Sequence, residues 1–95
     1  MVHVVVTLES KQDKQQEVLA ILQRGREIAL AQEGCEGFEV YQGKDEPYRF
    51  LLLEHWSSVE MHQPHFRRNV IEAGILERLA PLLARDVQYG YYESR

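Results

Sequence analysis

An α+β fold built on one antiparallel sheet follows from three features of the 95-residue chain. Four short runs of β-branched or alternating apolar residues enclose two stretches with a 3.6-residue apolar period. The two middle runs are separated only by a tight turn, which makes them a hairpin. Large apolar side chains also fall on both faces of the strands, so one layer of helices cannot cover them all.

The elements follow in order. Val2 to Leu8 is rich in β-branched residues and reads as a strand. Asp13 and Gln16 stand at capping-box spacing ahead of a helix. That helix carries Val18, Ile21, Leu22, Gly25, Ile28 and Ala29 on one stripe. Gly25 within the stripe is expected where the helix approaches the sheet closely, and Gly34 ends the helix. Residues 37–42 alternate, with Phe38 and Val40 opposed to Glu39 and Tyr41. Lys44-Asp45-Glu46-Pro47 is a turn, and residues 48–56 form the hairpin's second strand. Ser57 and Glu60 have capping-box spacing and open a second helix, which Pro64 is expected to break or tighten. A helical stretch over about 67–79 carries Val70, Ile71, Ile75, Leu76 and Leu79. Pro81 closes it, and residues 87–93 form the last strand.

The resulting order, β-α-β-β-α-β, is the split βαβ pattern of the ferredoxin-like sandwich, with both helices on one face of the sheet. Residues 1–95 form one domain, because the chain is too short for a second core. On the helix-free face Leu51 and Leu53 oppose Phe50 and Leu52, and Val5 opposes Val4 and Val6. Nothing remains in the chain to cover that face. A second copy packed sheet to sheet, as a C2 homodimer, is the economical partner.

Bulk properties narrow the function. A net charge of −4 argues against a nucleic-acid partner, and the adjacent Arg67 and Arg68 read as a solvated helix edge. No apolar run approaches the length of a membrane span, and the start of the chain lacks the pattern of a signal peptide. Cys35, the only cysteine, has acidic neighbours that hinder thiolate formation, and it reads as a small packed residue. A cytoplasmic location fits these features.

The stretch Leu51 to Phe66 gathers an acid, three histidines and the only tryptophan at a strand end. Phe50, Leu52, Glu54 and Trp56 share one strand face. Trp56 either anchors the core or walls a pocket. Glu54 is either a paired structural acid or a group that orients a histidine. His65, with an ordinary pKa near 6.5, suits a general base, and the alternative is a helix-terminal ring bonded to backbone. His62 lies three residues earlier and could relay a proton or bind substrate. His62 and His65 alone do not make a zinc site, which needs three or four convergent ligands. His55 points to the opposite face, and Tyr89, Tyr91 and Tyr92 either contact substrate or pack in the last strand or across the dimer, packing being the main expectation.

With these residues in place, the chain resembles the antibiotic biosynthesis monooxygenase domain, a family of small dimeric α+β barrels. The resemblance spans nearly the whole length. It rests on the initial strand, Gln32-Glu33-Gly34-Cys35, Tyr48-Arg49-Phe50, and above all Glu54-x-Trp56-x-Ser58-x-Glu60 followed by His65. It implies oxidation of a small phenol or hydroquinone by O2 with neither metal nor flavin. His65 and Trp56 would be the catalytic residues, and His62, Glu54, Phe50 and Leu52 would bind substrate. Other relatives degrade haem or isomerise small carbonyl compounds. The asparagine that haem-degrading members carry on the first strand is replaced by Val4-Val5-Val6-Thr7. The asparagine upstream of the tryptophan in some oxygenases is replaced by Phe50-Leu51-Leu52-Leu53. An isomerase of a small hydroxy-carbonyl compound and a non-catalytic dimer that binds an aromatic metabolite therefore stay open.

Overall fold

The computed structural model describes all 95 residues. Strand β1 (Val2–Glu9) leads to helix α1 (Gln15–Leu30), then to β2 (Cys35–Gln42) and β3 (Arg49–Trp56). Helix α2 (Val59–His65) continues into a π-helical segment (Phe66–Glu72), followed by α3 (Ile75–Leu79), a 3-10 turn (Ala80–Leu82) and β4 (Gln88–Tyr92). The strands form one sheet in the order β2-β3-β1-β4, and every pairing is antiparallel. This is the ferredoxin-like βαββαβ fold.

Register decides what faces the helices. Val2, Val4, Val6 and Leu8 of β1 stand opposite Trp56, Glu54, Leu52 and Phe50 of β3. On the other side of β3, Phe38 pairs with Glu54 and Val40 with Leu52. These residues, with Val18, Leu22 and Ala29 of α1 and Ile75 and Leu79 of α3, make up most of the core. Arg26 Nε donates to the Phe38 carbonyl at 2.8 Å and ties α1 to β2. The reverse face presents the paired Leu51 and Tyr41, 38% and 49% exposed, beside the half-buried pair Val5 and Leu53.

Four local expectations change. Asp13 does not cap α1. It takes a left-handed φ of 64°, and the boundary residue Lys14 makes no side-chain cap. Ser58, not Ser57, caps α2 by accepting from the Met61 amide at 3.2 Å. Ser57 is unavailable because its own N–H donates to the Gly34 carbonyl at 2.8 Å, extending the strand contact by one residue. Pro64 lies within α2 without ending it. The chain widens afterwards into π-type bonding, as in Ala73 N–H to Arg68 carbonyl at 3.1 Å, and breaks at Gly74, φ 84°. Gly25 does not mark a close approach, because a Cβ built there meets nothing within 4 Å.

Candidate active site

That open space beside Gly25 belongs to a cavity of about 150 Å³ between the sheet and the helices. Cavities near this size with apolar linings accept a benzene ring. The floor is Val4, Val6, Leu8, Phe38 and Leu52 from the sheet. Ile21, Leu22, Gly25 and Ile28 of α1 form one wall. Phe66 and Val70 of the π-helical segment, Ile75, Leu76 and Leu79 of α3, and Val87 and Tyr89 complete it. Glu54, His62 and His65 are the ionisable groups that share this lining with Tyr89, and no lysine or arginine is among them.

Glu54 reaches the cavity because strand alternation turns it inward, between Val4 on β1 and Phe38 on β2. Only 6% of it is exposed, and its Oε1 accepts the Trp56 indole N–H at 2.9 Å. Burial pushes its pKa up to about 7, partly offset by that hydrogen bond. A carboxyl so placed changes charge near neutrality.

The two imidazoles are placed by one turn of α2. His62 and His65 are both buried, with ring centroids 6.1 Å apart. The Trp56 ring packs against both, at 5.2 Å and 5.0 Å. Burial, with a smaller contribution from His65, lowers the His62 pKa to about 4. Burial and then Arg68 lower that of His65. Both rings are therefore neutral at pH 7. His62 Nε2 lies 3.9 Å from Glu54 Oε1, and its Nδ1 lies 2.7 Å from the Tyr91 hydroxyl. Asn69 Nδ2 lies 3.0 Å from His65 Nδ1. The amide donates, so neutral His65 keeps its proton on Nε2 and its second nitrogen is a donor rather than a base. No three His, Cys, Asp or Glu side chains converge in a way that would hold a metal ion.

The structure thus brings together Glu54, His62, His65 and Leu52. Trp56 and Phe50 are not in the lining. Trp56 is fully buried behind Glu54 and acts on the cavity through its N–H and its packing. Sequence reasoning missed Phe66, Val70 and Asn69, which enter only through the π-helical segment. Tyr89, for which packing was the main expectation, lines the cavity with its ring 5.2 Å from that of Phe66. The alternation of Tyr89 and Tyr91 with Gly90 in the last strand was the one available signal. His55 lies on the reverse face as expected, hydrogen-bonded at 2.8 Å to both His3 and Glu39.

A four-stranded sheet whose helices roof an apolar cavity, with ionisable groups at one end, makes up a small α+β domain. The chain belongs to the antibiotic biosynthesis monooxygenase family, whose sequence model matches residues 1–75. Solved structures share the fold over nearly its whole length. A Nitrosomonas europaea protein named as a candidate antibiotic biosynthesis monooxygenase superposes with a TM-score of 0.89 at 20% identity, covering 99% of this chain and 98% of that one. A conserved protein from Methanosarcina mazei gives 0.89 at 26% identity, covering 99% and 92%. Rv0793 from Mycobacterium tuberculosis gives 0.87 at 20% identity, covering 99% and 94%. Among curated proteins none matches. No helix is long and apolar enough to cross a membrane.

Proposed function

We propose that the protein is a cofactor-independent monooxygenase that oxidises a small, uncharged phenol or hydroquinone with O2. The observation that carries this reading is the Glu54 carboxyl at the polar end of a cavity sized for one ring. The cavity offers no cation to a carboxylate or phosphate, which favours a neutral ligand with one polar edge. Glu54, ionised in about half the molecules at pH 7, takes the phenolic proton, and His65 donates from Nε2 to the ligand oxygen. The phenolate is electron-rich enough to reduce O2. For a phenol oxidised to a quinone, one oxygen atom enters the ring and the other leaves as water. The substrate supplies all four electrons, so no external reductant is required. In this assignment the base is Glu54, while His65 orients the ligand and Trp56 positions Glu54.

Oxygen uptake with a panel of hydroquinones and phenols tests it, comparing the native chain with Glu54→Gln. Uptake above autoxidation that drops about 10²-fold or more in the variant supports the assignment. Equal rates in both would remove Glu54 from the chemistry.

The same carboxyl, with a neutral imidazole donor beside it, also suits enolisation of a small hydroxy-carbonyl compound. Turnover that persists when oxygen is removed would select that isomerase reading. We further infer a homodimer packed through the helix-free face, supported by the exposed Leu51 and Tyr41 beside Val5 and Leu53.

A further inference from the structure

The hydrogen-bonded groups behind Glu54 lead away from the cavity rather than around it. Glu54 Oε1 faces His62 Nε2 at 3.9 Å, and His62 Nδ1 meets the Tyr91 hydroxyl at 2.7 Å. Glu54 and His62 are buried, 6% and 2% exposed, whereas Tyr91 at the far end is 39% exposed. Tyr91 sits on the edge strand β4, opposite Val4, and so at the rim of the sheet. Its ring stands edge-on to that of His62 at 5.3 Å, which fixes the pair.

We infer that Glu54, His62 and Tyr91 form a proton outlet from the cavity to the sheet edge, with Tyr91 handing the proton to solvent. The inference rests on the reading of Glu54 as the base. A ligand that fills a single-ring cavity blocks the route by which it entered, so a proton captured by Glu54 needs another way out.

Each transfer balances. The Glu54 carboxylic O–H gives its proton to the His62 Nε2 lone pair. The Nδ1–H of the same ring passes its proton to the Tyr91 oxygen, and the original Tyr91 O–H proton leaves to water. The carboxylate is regenerated and His62 ends as its other tautomer, so a flip of the imidazole ring together with rotation of the Tyr91 hydroxyl resets the chain. The 2.7 Å contact serves both states, because ring and hydroxyl can each donate or accept. At 3.9 Å the first gap exceeds hydrogen-bond reach, so the transfer requires a rotation about the soft last Glu54 torsion. Burial makes a charged His62 costly, so the proton crosses by tautomer exchange without resting on the ring. The titratable groups facing Glu54 are His62 and His65 from the helical layer, Tyr91 from β4 and Cys35 from β2. Tyr91 alone among these combines a bond to His62 with a side chain that reaches solvent.

Two measurements test the outlet. With a hydroquinone that is turned over, Tyr91→Phe keeps the ring and lowers kcat about tenfold, with KM within twofold. Added imidazole, a diffusible proton carrier, restores the rate. A native rate, or a loss that imidazole cannot repair, would overturn the proposal. The second needs no turnover and so separates this idea from the oxygenase reading. The buried His62 ring N–H, followed by nitrogen-15 NMR with the cavity filled by phenol in oxygen-free buffer, exchanges with solvent at least tenfold more slowly in Tyr91→Phe at matched global stability. Unchanged exchange would overturn the outlet even if the protein proves to be an oxygenase.

Discussion

The indole N–H of Trp56 donates to Glu54 Oε1 at 2.9 Å, across two residues of the same strand face. The contact holds the carboxyl at the cavity edge and favours its charged form against the desolvation that raises its pKa. In Trp56→Phe most of the packing survives, but Glu54 loses its donor and its pKa climbs above about 7. Since the base must be ionised, the acid limb of the kcat/KM profile shifts to higher pH. A pH–rate profile that does not move would disconnect Trp56 from the acid.

Glu54 and His62 bias stability with pH in opposite senses. The folded Glu54 pKa is raised, so its contribution is full below the unfolded carboxylate value, near 4.5, and is lost as pH rises through about 7. The folded His62 pKa is lowered, so its contribution is full above about 6.5 and is lost as pH falls through about 4. Each shift corresponds to roughly 3 kcal/mol across its window. Relative to the parent, Glu54→Gln therefore gains stability from pH 4.5 to 7, and His62→Gln gains it from pH 6.5 down to 4. Urea titrations at several pH values measure both difference curves. A flat curve for Glu54→Gln would mean that the carboxyl is solvated in the native state.

Gly25 sits in the interior of α1, where glycine costs about 1 kcal/mol relative to alanine, and a Cβ there meets nothing within 4 Å. Gly25→Ala should stabilise the chain by close to that amount and raise Tm by about 4–8 °C. Gly25→Leu should instead fill the cavity and abolish binding of a single-ring ligand with the fold intact. Calorimetry with phenol as the probe reads both effects. Undiminished binding in Gly25→Leu would show that the cavity beside α1 is not the ligand site.

The contrast between Gly25 and Glu54 shows where sequence reading succeeded. Strand alternation placed Glu54, Leu52 and Trp56 on one inner face, because period 2 is a local property of the chain. The α1 stripe was equally legible, but whether Gly25 admits a neighbouring backbone or leaves a void depends on the facing layer. Tyr91 reaches His62 only because β4 pairs with β1, placing Tyr91 opposite Val4 across most of the sequence. Nothing local to β4 announces that contact. Asn69 likewise meets His65 only because the chain widens into a π-helical segment after α2, which no local pattern announces.

The reverse face of the sheet yields the last prediction. Leu51 pairs with Thr7 on one side and Tyr41 on the other, and Leu53 with Val5 and Glu39, which makes an apolar strip edged by polar groups. A strip of this kind is costly to leave wet and aggregates unless something covers it. A second copy meeting it through a two-fold axis would bury Leu51 against the same strip of its partner. Leu51→Asp brings two carboxylates into that contact, yet in an isolated chain it alters a residue already 38% exposed. The native chain should therefore run at twice the monomer mass in light scattering, and Leu51→Asp at the monomer mass with the same far-UV circular dichroism. A native chain that stays monomeric at micromolar concentration would exclude the sheet-to-sheet pair.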